Sequence, residues 1–494
     1  MPSAWRLPTV LPSVGRISGQ PVADRSVADL SLPDIAVPEL PAVQRLSSSS
    51  EREDLFPQPR YAEKFRCLGP ECEDSCCKAW DLRLDRATYE RYQLIPVESL
   101  LGRKVQSSVE MLPEPREERA YGRILLNENL ECPFLTEEKW CGIQQTMGEA
   151  ALSQTCRTYP RIEQQAPGGR WETTMHLSCP EAARLILLDQ EAAQQEWVAH
   201  GADGRSMVAA YEAVAEWGLH SMTAAKGTEI PEAILDATRR LLLLLLRDRR
   251  YSLGERVWLM GVFAGRLRTA MPGIELESAQ RFPALLREFS GLLGAGTLRP
   301  VLARLAGRPA MQLDLTLGLV NRRLERVINS LRFLDAVKEF LDGIGYRPGM
   351  TPESLAPTLS RAEAEFFVPW MEAHPWLLEN YLAHALYRSS FPFGKDWKQA
   401  DVEGEFFGLC THFVSIRTLM MGVSGAHGAG FRAEHAVHLV QTYSRMMDHH
   451  ADFLHLAAGM LVGANQRDAG SLAGLLLEGV RRDGCAGMAA GAMA

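Results

Sequence analysis

Cys67-Leu-Gly-Pro-Glu-Cys72-Glu-Asp-Ser-Cys76-Cys77 sets four thiols within eleven residues in a C-x4-C-x3-C-C pattern, and its reading decides the kind of fold this chain has. Four more follow singly, Cys132, Cys141, Cys156 and Cys179, so eight of the ten cysteines lie in one window and only Cys410 and Cys485 lie outside it. Clustered thiols hold a metal centre, form disulfides or pack as small hydrophobes. The first residues, MPSAWRLPTVLPSVGRISG, are broken by Pro2, Pro8 and Pro12 and show no apolar core of a secretory signal. A cytoplasmic, reducing location is therefore expected. There such a cluster points to metal binding or catalysis rather than to a disulfide framework.

A thiolate site needs several sulfurs converging at about 2.3 Å from a metal. Short spacings deliver several ligands with little closure entropy, and Gly69-Pro70 permits a tight turn inside the first spacer. Cys132 precedes Pro133 and Cys141 precedes Gly142. Cys179 stands before Pro180 at an expected helix start, where unpaired N–H groups favour a thiolate. The paired C-x2-C knuckles of a zinc ribbon are absent, and so is the C-x3-C-x2-C loop of radical enzymes. Spacing leaves iron–sulfur and zinc both open. One centre needs four ligands, so some of the eight thiols are also readable as packing residues. Lys64, Arg66, Lys78, Arg157 and Arg161 are cations available to an anionic cluster, or ordinary surface charges.

Outward from the window, the chain of 494 residues carries net charge −8, which argues against a general nucleic-acid binder. No apolar run approaches membrane-spanning length, and no membrane partner is expected. Leu241–Leu246, flanked by Arg239, Arg240, Arg247, Arg249 and Arg250, reads as a buried helix face with a charged exit. Residues 1–59 hold nine of 28 prolines and the run Ser47–Ser50, and read as a disordered extension. Residues 60–180 form the cysteine module. In it Asn127–Asn129 suggests a hairpin between Arg123–Leu126 and Leu130–Phe134, and Trp171–Leu177 a further strand. Pro180 opens a helix through Leu188. Residues 181–465 read as a helical domain, and 466–494 as a flexible tail. Leu324, Val327, Ile328, Leu331, Leu334 and Leu341 keep one helical period, as do Phe406–Met421 and His435–Leu454. Gly422–Gly430 reads as a loop. The fold class is mainly α: a cysteine-rich metal-binding module with minor β, followed by a large helical domain.

The string YAEKFRCLGPECEDSCCKAWDLRLD resembles the opening of the flagellin lysine N-methylases. So do ECPFL (Glu131–Leu135), Cys141-Gly142-Ile143, LSQTCRTYPRI (Leu152–Ile162) and LSCPEAARLIL (Leu177–Leu187). ENYLAHALYRSSFPF (Glu379–Phe393) and the surroundings of Arg417 and Arg445–His449 look like the family's C-terminal part. The resemblance implies a cytoplasmic enzyme that methylates flagellin lysines, associated with S-adenosylmethionine and a 4Fe–4S cluster. It places the family's thiols on Cys67, Cys72, Cys76, Cys77, Cys132, Cys141, Cys156 and Cys179. Zinc is the alternative metal.

Methyl transfer to lysine requires a deprotonated amine, by desolvation or with a base. Tyr159 is a candidate to orient or deprotonate it, and Arg157 and Arg161 are candidates for the carboxylate of S-adenosylmethionine. The bland reading is a packed Tyr159-Pro160 turn with arginines balancing the cluster. Asn380, Tyr381 and Arg388 form a second candidate set. His435 with His438, and Asp448, Asp452 and His455, share helix faces and are more simply polar than metal-ligating. No strand–GxGxxG–helix pattern is present, so a Rossmann methyltransferase site is not expected. The alternative to an enzyme is a metal-stabilised protein-binding module. A redox or radical enzyme is the third reading, and the missing C-x3-C-x2-C loop counts against it.

Overall fold

The computed structural model describes residues 61–114, 117–167, 169–190, 207–225, 230–271, 279–325, 330–394, 401–448 and 469–479. The 1–59 extension, Asp452, His455 and Cys485 lie outside the described residues. From Pro180 onward every described regular element is a helix.

The leucine run explains why. Leu241–Leu246 lie in the helix Ile230–Arg247 and are all buried, so this end of the helix is apolar around its circumference and belongs to a core. The expected charged exit is corrected in part, because Arg239 and Arg240 are themselves buried at 1% and 3% exposure. Arg239 survives there because Glu172 meets it with both carboxylate oxygens, one at 2.9 Å, and the Tyr387 ring lies 4.6 Å from its guanidinium. Arg240 sits 3.9 Å from the centroid of Trp217.

The helix Val402–His427 crosses the centre of the body. The stretch Val402–Gly430 is long and apolar enough to cross a membrane, which corrects the expectation drawn from short leucine runs. Its apolar window is 94% buried inside the protein, as suits a core helix. It packs against Leu331–Gly343, Pro309–Leu324, Leu253–Ala270, Pro352–Ala362 and Ala433–Met447. The expected Gly422–Gly430 loop is also corrected, since the helix runs through to His427 and only Gly428–Gly430 leaves it. The glycines serve close approach instead. A Cβ on Gly343 would stand 1.7 Å from the Gly422 carbonyl oxygen, and one on Gly425 would stand 2.9 Å from Ala362 Cβ.

The single period read from Leu324 to Leu341 is interrupted. One helix ends at Leu324 and the next begins at Leu331, while residues 326–329 lie outside the described residues. Ser330 Oγ caps the second helix by accepting from the Phe333 N–H at 3.2 Å, which resets the phase. Phe333, Val337, Phe340 and Leu341 face the core, and Leu331 is 75% exposed.

In the cysteine region β1 (Leu82–Leu84), β2 (Val109–Met111) and β3 (Gly122–Ile124) form an antiparallel sheet in the order β1–β3–β2. β4 (Arg161–Gln165) pairs with β5 (Trp171–Met175), the strand expected at Trp171. The helix expected at Pro180 runs to Leu187. The expected hairpin about Asn127–Asn129 is corrected. The turn exists, with Asn127 Oδ1 accepting from the N–H groups of Asn129 and Glu131 at 2.9 Å each, but β3 pairs with β1 and β2. The segment after the turn lies along the cysteine loop: Ala79 N–H donates to the Leu130 carbonyl at 2.8 Å and Cys132 N–H to the Cys77 carbonyl at 2.7 Å.

Two hydrophobic cores result. The small one gathers Leu82, Leu84, Tyr92, Val105, Ile124, Phe134 and Ile143. The large one contains the helical half and also Tyr61, Phe65, Met175, Leu177 and Cys179, so the chain anchors in the large core on both sides of the small one. Ala469–Leu476 docks on the large core, where the buried Gln312 donates to the carbonyls of Gly474 and Leu477 at 3.2 and 2.9 Å.

Candidate functional site

Each thiol is placed by a specific piece of local structure. Cys67 follows the turn Tyr61–Lys64, and its sulfur accepts from Gly69 N–H at 3.4 Å. Gly69 takes a positive φ of 56°, which opens the short 3-10 turn ending at Cys72. Cys141 and Cys179 are the residues before the helices Gly142–Met147 and Pro180–Leu187. Cys156 lies in Gln154–Thr158, and Ser153 Oγ caps that helix through the Cys156 N–H at 3.2 Å.

The nine described cysteines are free thiols. Burial raises Cys132, Cys156 and Cys179 above the ordinary thiol range, the last two to about 11. Cys77 is lowered, chiefly because Cys76 hydrogen-bonds to it, and Cys76 is raised by the same contact. Soft sulfur donors of this number suit zinc or an iron–sulfur cluster by type. As placed, no three His, Cys, Asp or Glu side chains among the described residues stand together as a metal-holding group. The donor chemistry fits; a convergent ligand geometry is not formed in this arrangement.

The helical half grips the cysteine loop directly. Arg445, on the helix Ala433–Met447, donates to the carbonyls of Lys78 at 2.7 Å, Ser75 at 3.2 Å and Asp74 at 3.3 Å, and pairs with the Asp74 carboxylate at 3.1 Å. One turn earlier Gln441 Nε2 donates to Asp74 Oδ2 and to the Ser178 carbonyl, both at 2.8 Å. The clasp therefore holds the loop beside the start of the Cys179 helix. Sequence reasoning noted the surroundings of Arg445 but assigned it no role. The available signal was two long polar side chains at i, i+4 on one helix, Gln441 and Arg445.

Tyr159 lies at the loop's other side. Its hydroxyl is 3.1 Å from Ser178 Oγ, and its ring stacks on His176 and lies 5.4 Å from Trp80. Burial raises its phenol well above the ordinary value, so it keeps its proton at neutral pH and is no base there, and either hydroxyl can donate in the contact with Ser178. Arg161 is turned to Phe65, with its guanidinium 5.1 Å from the ring and its Nη2 3.5 Å from the Phe65 carbonyl. Arg157 is exposed at the end of its helix.

The second candidate set sits on Trp376–Arg388. Asn380 donates to the Asp189 carbonyl at 2.8 Å, and its buried Oδ1 has no partner among the described residues. Tyr381 is buried, and Arg388 pairs with Asp448 at 2.5 Å. The same face carries His384, whose Nδ1 is 2.7 Å from the Tyr61 hydroxyl and whose buried Nε2 has no partner among the described residues. Burial lowers His384 to about 3, so the imidazole is neutral. Asp448 is thus an ion-pair partner. His435 stacks on His427 at 3.9 Å between ring centroids, and His427 meets Glu339 at 3.1 Å.

A family model described as the FliB lysine N-methylase C-terminal domain matches residues 239–475. The flagellar biosynthetic protein FliU of Salmonella muenchen is 32% identical over 142 residues, which are 28% of this chain and 82% of that protein. Proteins named lysine-N-methylase in Salmonella typhimurium and Salmonella choleraesuis are each 32% identical over 142 residues, covering 28% of this chain and 34% of theirs. The match thus spans about a third of the length of those two relatives. No solved structure matches.

Proposed function

Since this chain belongs to the flagellin lysine N-methylase family, we propose that it methylates lysine side chains of flagellin in the cytoplasm, with S-adenosylmethionine as donor and an iron–sulfur cluster held by the cysteine region. The observation that carries the reading is that the family match includes Gln441 and Arg445, the residues that clasp the cysteine loop to the helical body. The family-matched part of the chain and the thiol window then form one unit.

A lysine amine with a reference pKa of about 10.4 must arrive or become neutral before it attacks. Its lone pair forms the new N–C bond as the C–S bond breaks, the sulfonium leaves as a neutral thioether, and the nitrogen sheds a proton to solvent or a base. Positioning in line supplies most of the acceleration. Tyr159, protonated and held against Ser178, orients a bound group by donating a hydrogen bond. Arg157, exposed beside it in sequence, offers a planar fork for the donor's carboxylate. Phe65 and Trp80 contribute apolar surface and Arg161 a like charge, and both disfavour a charged amine. The eight thiols Cys67 to Cys179 are the residues that would hold the metal centre, and a four-iron cluster, when bound, supplies an anionic redox-active group.

The test is co-expression with flagellin, with and without this chain, followed by intact-mass measurement. Flagellin heavier in steps of about 14 Da per methyl supports the proposal. Flagellin of unchanged mass that still binds the chain would favour the binding-module reading.

A further inference from the structure

The β4–β5 pair has an open edge that starts beside Tyr159, and we propose that β4 takes an extended, lysine-bearing segment of the protein substrate as a third strand along Arg161–Gln165. The inference rests on the proposed action on flagellin lysines and names how that substrate is held.

The hydrogen-bond pattern fixes which main-chain groups the edge presents. His176 N–H donates to the Pro160 carbonyl at 2.8 Å, and Ala166 N–H to the Arg170 carbonyl at 2.8 Å. Between these two ends the register runs unbroken, from Arg161 opposite Met175 to Gln165 opposite Trp171. Bonded and non-bonded pairs alternate along an antiparallel ladder. Ile162 and Gln164 therefore bond to β5, while Arg161, Glu163 and Gln165 turn their N–H and C=O groups away from it. None of those groups has a main-chain partner among the described residues. Glu163 and Gln165 are exposed, so the edge is open to solvent there.

Edge strands are commonly blunted by a proline, a bulge or a covering element. β4 contains no proline and no break in its register. The strand that packs on the helices Tyr61–Lys64 and Trp376–Arg388 is its neighbour β5. The pair is firmly seated on its inner face. Gln164 Nε2 donates to the Tyr387 carbonyl at 2.8 Å, and Glu172 meets the buried Arg239. A segment arriving at the edge meets a preformed template, so the ordering cost falls on the newcomer alone.

The outer face carries the chemistry that selects the occupant. Glu163, Gln165 and, directly across from Gln165, Trp171 share this side, because alternate residues of a strand share a face. Trp171 is 61% exposed, and Glu163 makes no ion pair among the described residues. A carboxylate with an exposed indole beside it favours a cation on the incoming strand, through opposite-charge pairing across the ladder and contact with the ring. A second copy of this chain is the wrong occupant, since antiparallel pairing of two β4 edges centred on Glu163 sets carboxylate against carboxylate. β4 leaves the turn Tyr159-Pro160, so a segment laid along it is led to Tyr159 and to Arg157, the residues that the proposed transfer uses.

The experiment is amide hydrogen exchange of the full chain, resolved to single residues, with and without excess purified monomeric flagellin. Flagellin binding is titrated alongside, and the intact mass of co-expressed flagellin is measured. Slowed exchange at the amides of Arg161, Glu163 and Gln165 is the expected result. Glu163→Pro removes one edge donor and no bond of the β4–β5 ladder, so it should leave the thermal midpoint in place and weaken flagellin binding about tenfold. Glu163→Lys should weaken it as well. Flagellin that is methylated while the three amides exchange as before overturns the edge inference and leaves the proposed activity standing. Slowed exchange with unmethylated flagellin supports the docking edge and overturns the activity. Neither protection nor methylation overturns both. A folded Glu163→Pro chain that binds flagellin as tightly as the wild type also overturns the edge, and if that variant does not fold, exchange in the wild type decides.

Discussion

The small thiol core and the large helical core are stabilised by different means. The large one is made of long helices that touch over their lengths, close enough at Gly343 and Gly422 that a methyl group does not fit. The small one is made of three-residue strands and short helices whose ends are tied by side chains: Asp85 accepts from the N–H groups of Thr88 and Gln154 at 2.9 Å each, and Ser99 and Ser153 cap two more helices. A core this small buries too little apolar surface to be firm by itself, and such modules need staples. Here the visible staples are the clasp of Arg445 and Gln441, the β4–β5 seam and the caps. The lesson is that the thiol region is ordered from outside as much as from within.

The seam offers the largest test. Glu172→Ala leaves Arg239 buried without its carboxylate and is expected to cost about 3–5 kcal/mol, read as a lowered thermal midpoint. A loss below about 1 kcal/mol would mean that the β4–β5 pair does not depend on this ion pair for its seat on the helical body. Gly343→Ala pushes a methyl into the Gly422 carbonyl and should cost about 3 kcal/mol, at the upper end of overpacking effects, with the change seen in unfolding of the helical body.

Asp448 gives a pH test. Burial alone would raise its pKa, but Arg388, His412 and Ser444 outweigh it and lower the carboxyl from 3.8 to about 2. A carboxyl lowered on folding adds stability above its unfolded pKa, and that stability is lost as pH falls through the folded value. About 2 kcal/mol should disappear between roughly pH 4 and pH 2, and Asp448→Asn should flatten this part of the urea-unfolding profile. An unaltered profile would remove Asp448 from the helical core's ion pairs. The smallest effect is expected from Asp85→Ala. Loss of that cap should cost about 1 kcal/mol and speed proteolysis within residues 82–158 only. Equal loosening of the helical body would erase the contrast.

Much of this was legible in the sequence where the period was long and local. The helix at Pro180, the strand at Trp171 and the helical character of the second half follow from turn chemistry and apolar spacing. Three things were not. The restart at Ser330 hides inside an unbroken 3.6-residue pattern, because a cap changes phase without changing composition. Gly422 and Gly425 read as loop residues because glycine needed for helix contact looks like glycine needed for a turn. Pairing of β3 with β1 across 37 intervening residues, rather than with the arm next to it, is a tertiary choice that no local signal carries. Of the candidate site, the thiols were evident from spacing. The clasp at Gln441 and Arg445, more than 360 residues from the loop it holds, was not.

The most direct measurement is the intact mass of flagellin co-expressed with Arg445→Met, which keeps the side chain's bulk and removes its donors to Asp74, Ser75 and Lys78. The account predicts soluble protein of unchanged helix content that leaves flagellin unmethylated, while the wild type adds mass in methyl steps. Full methylation by the variant would contradict it.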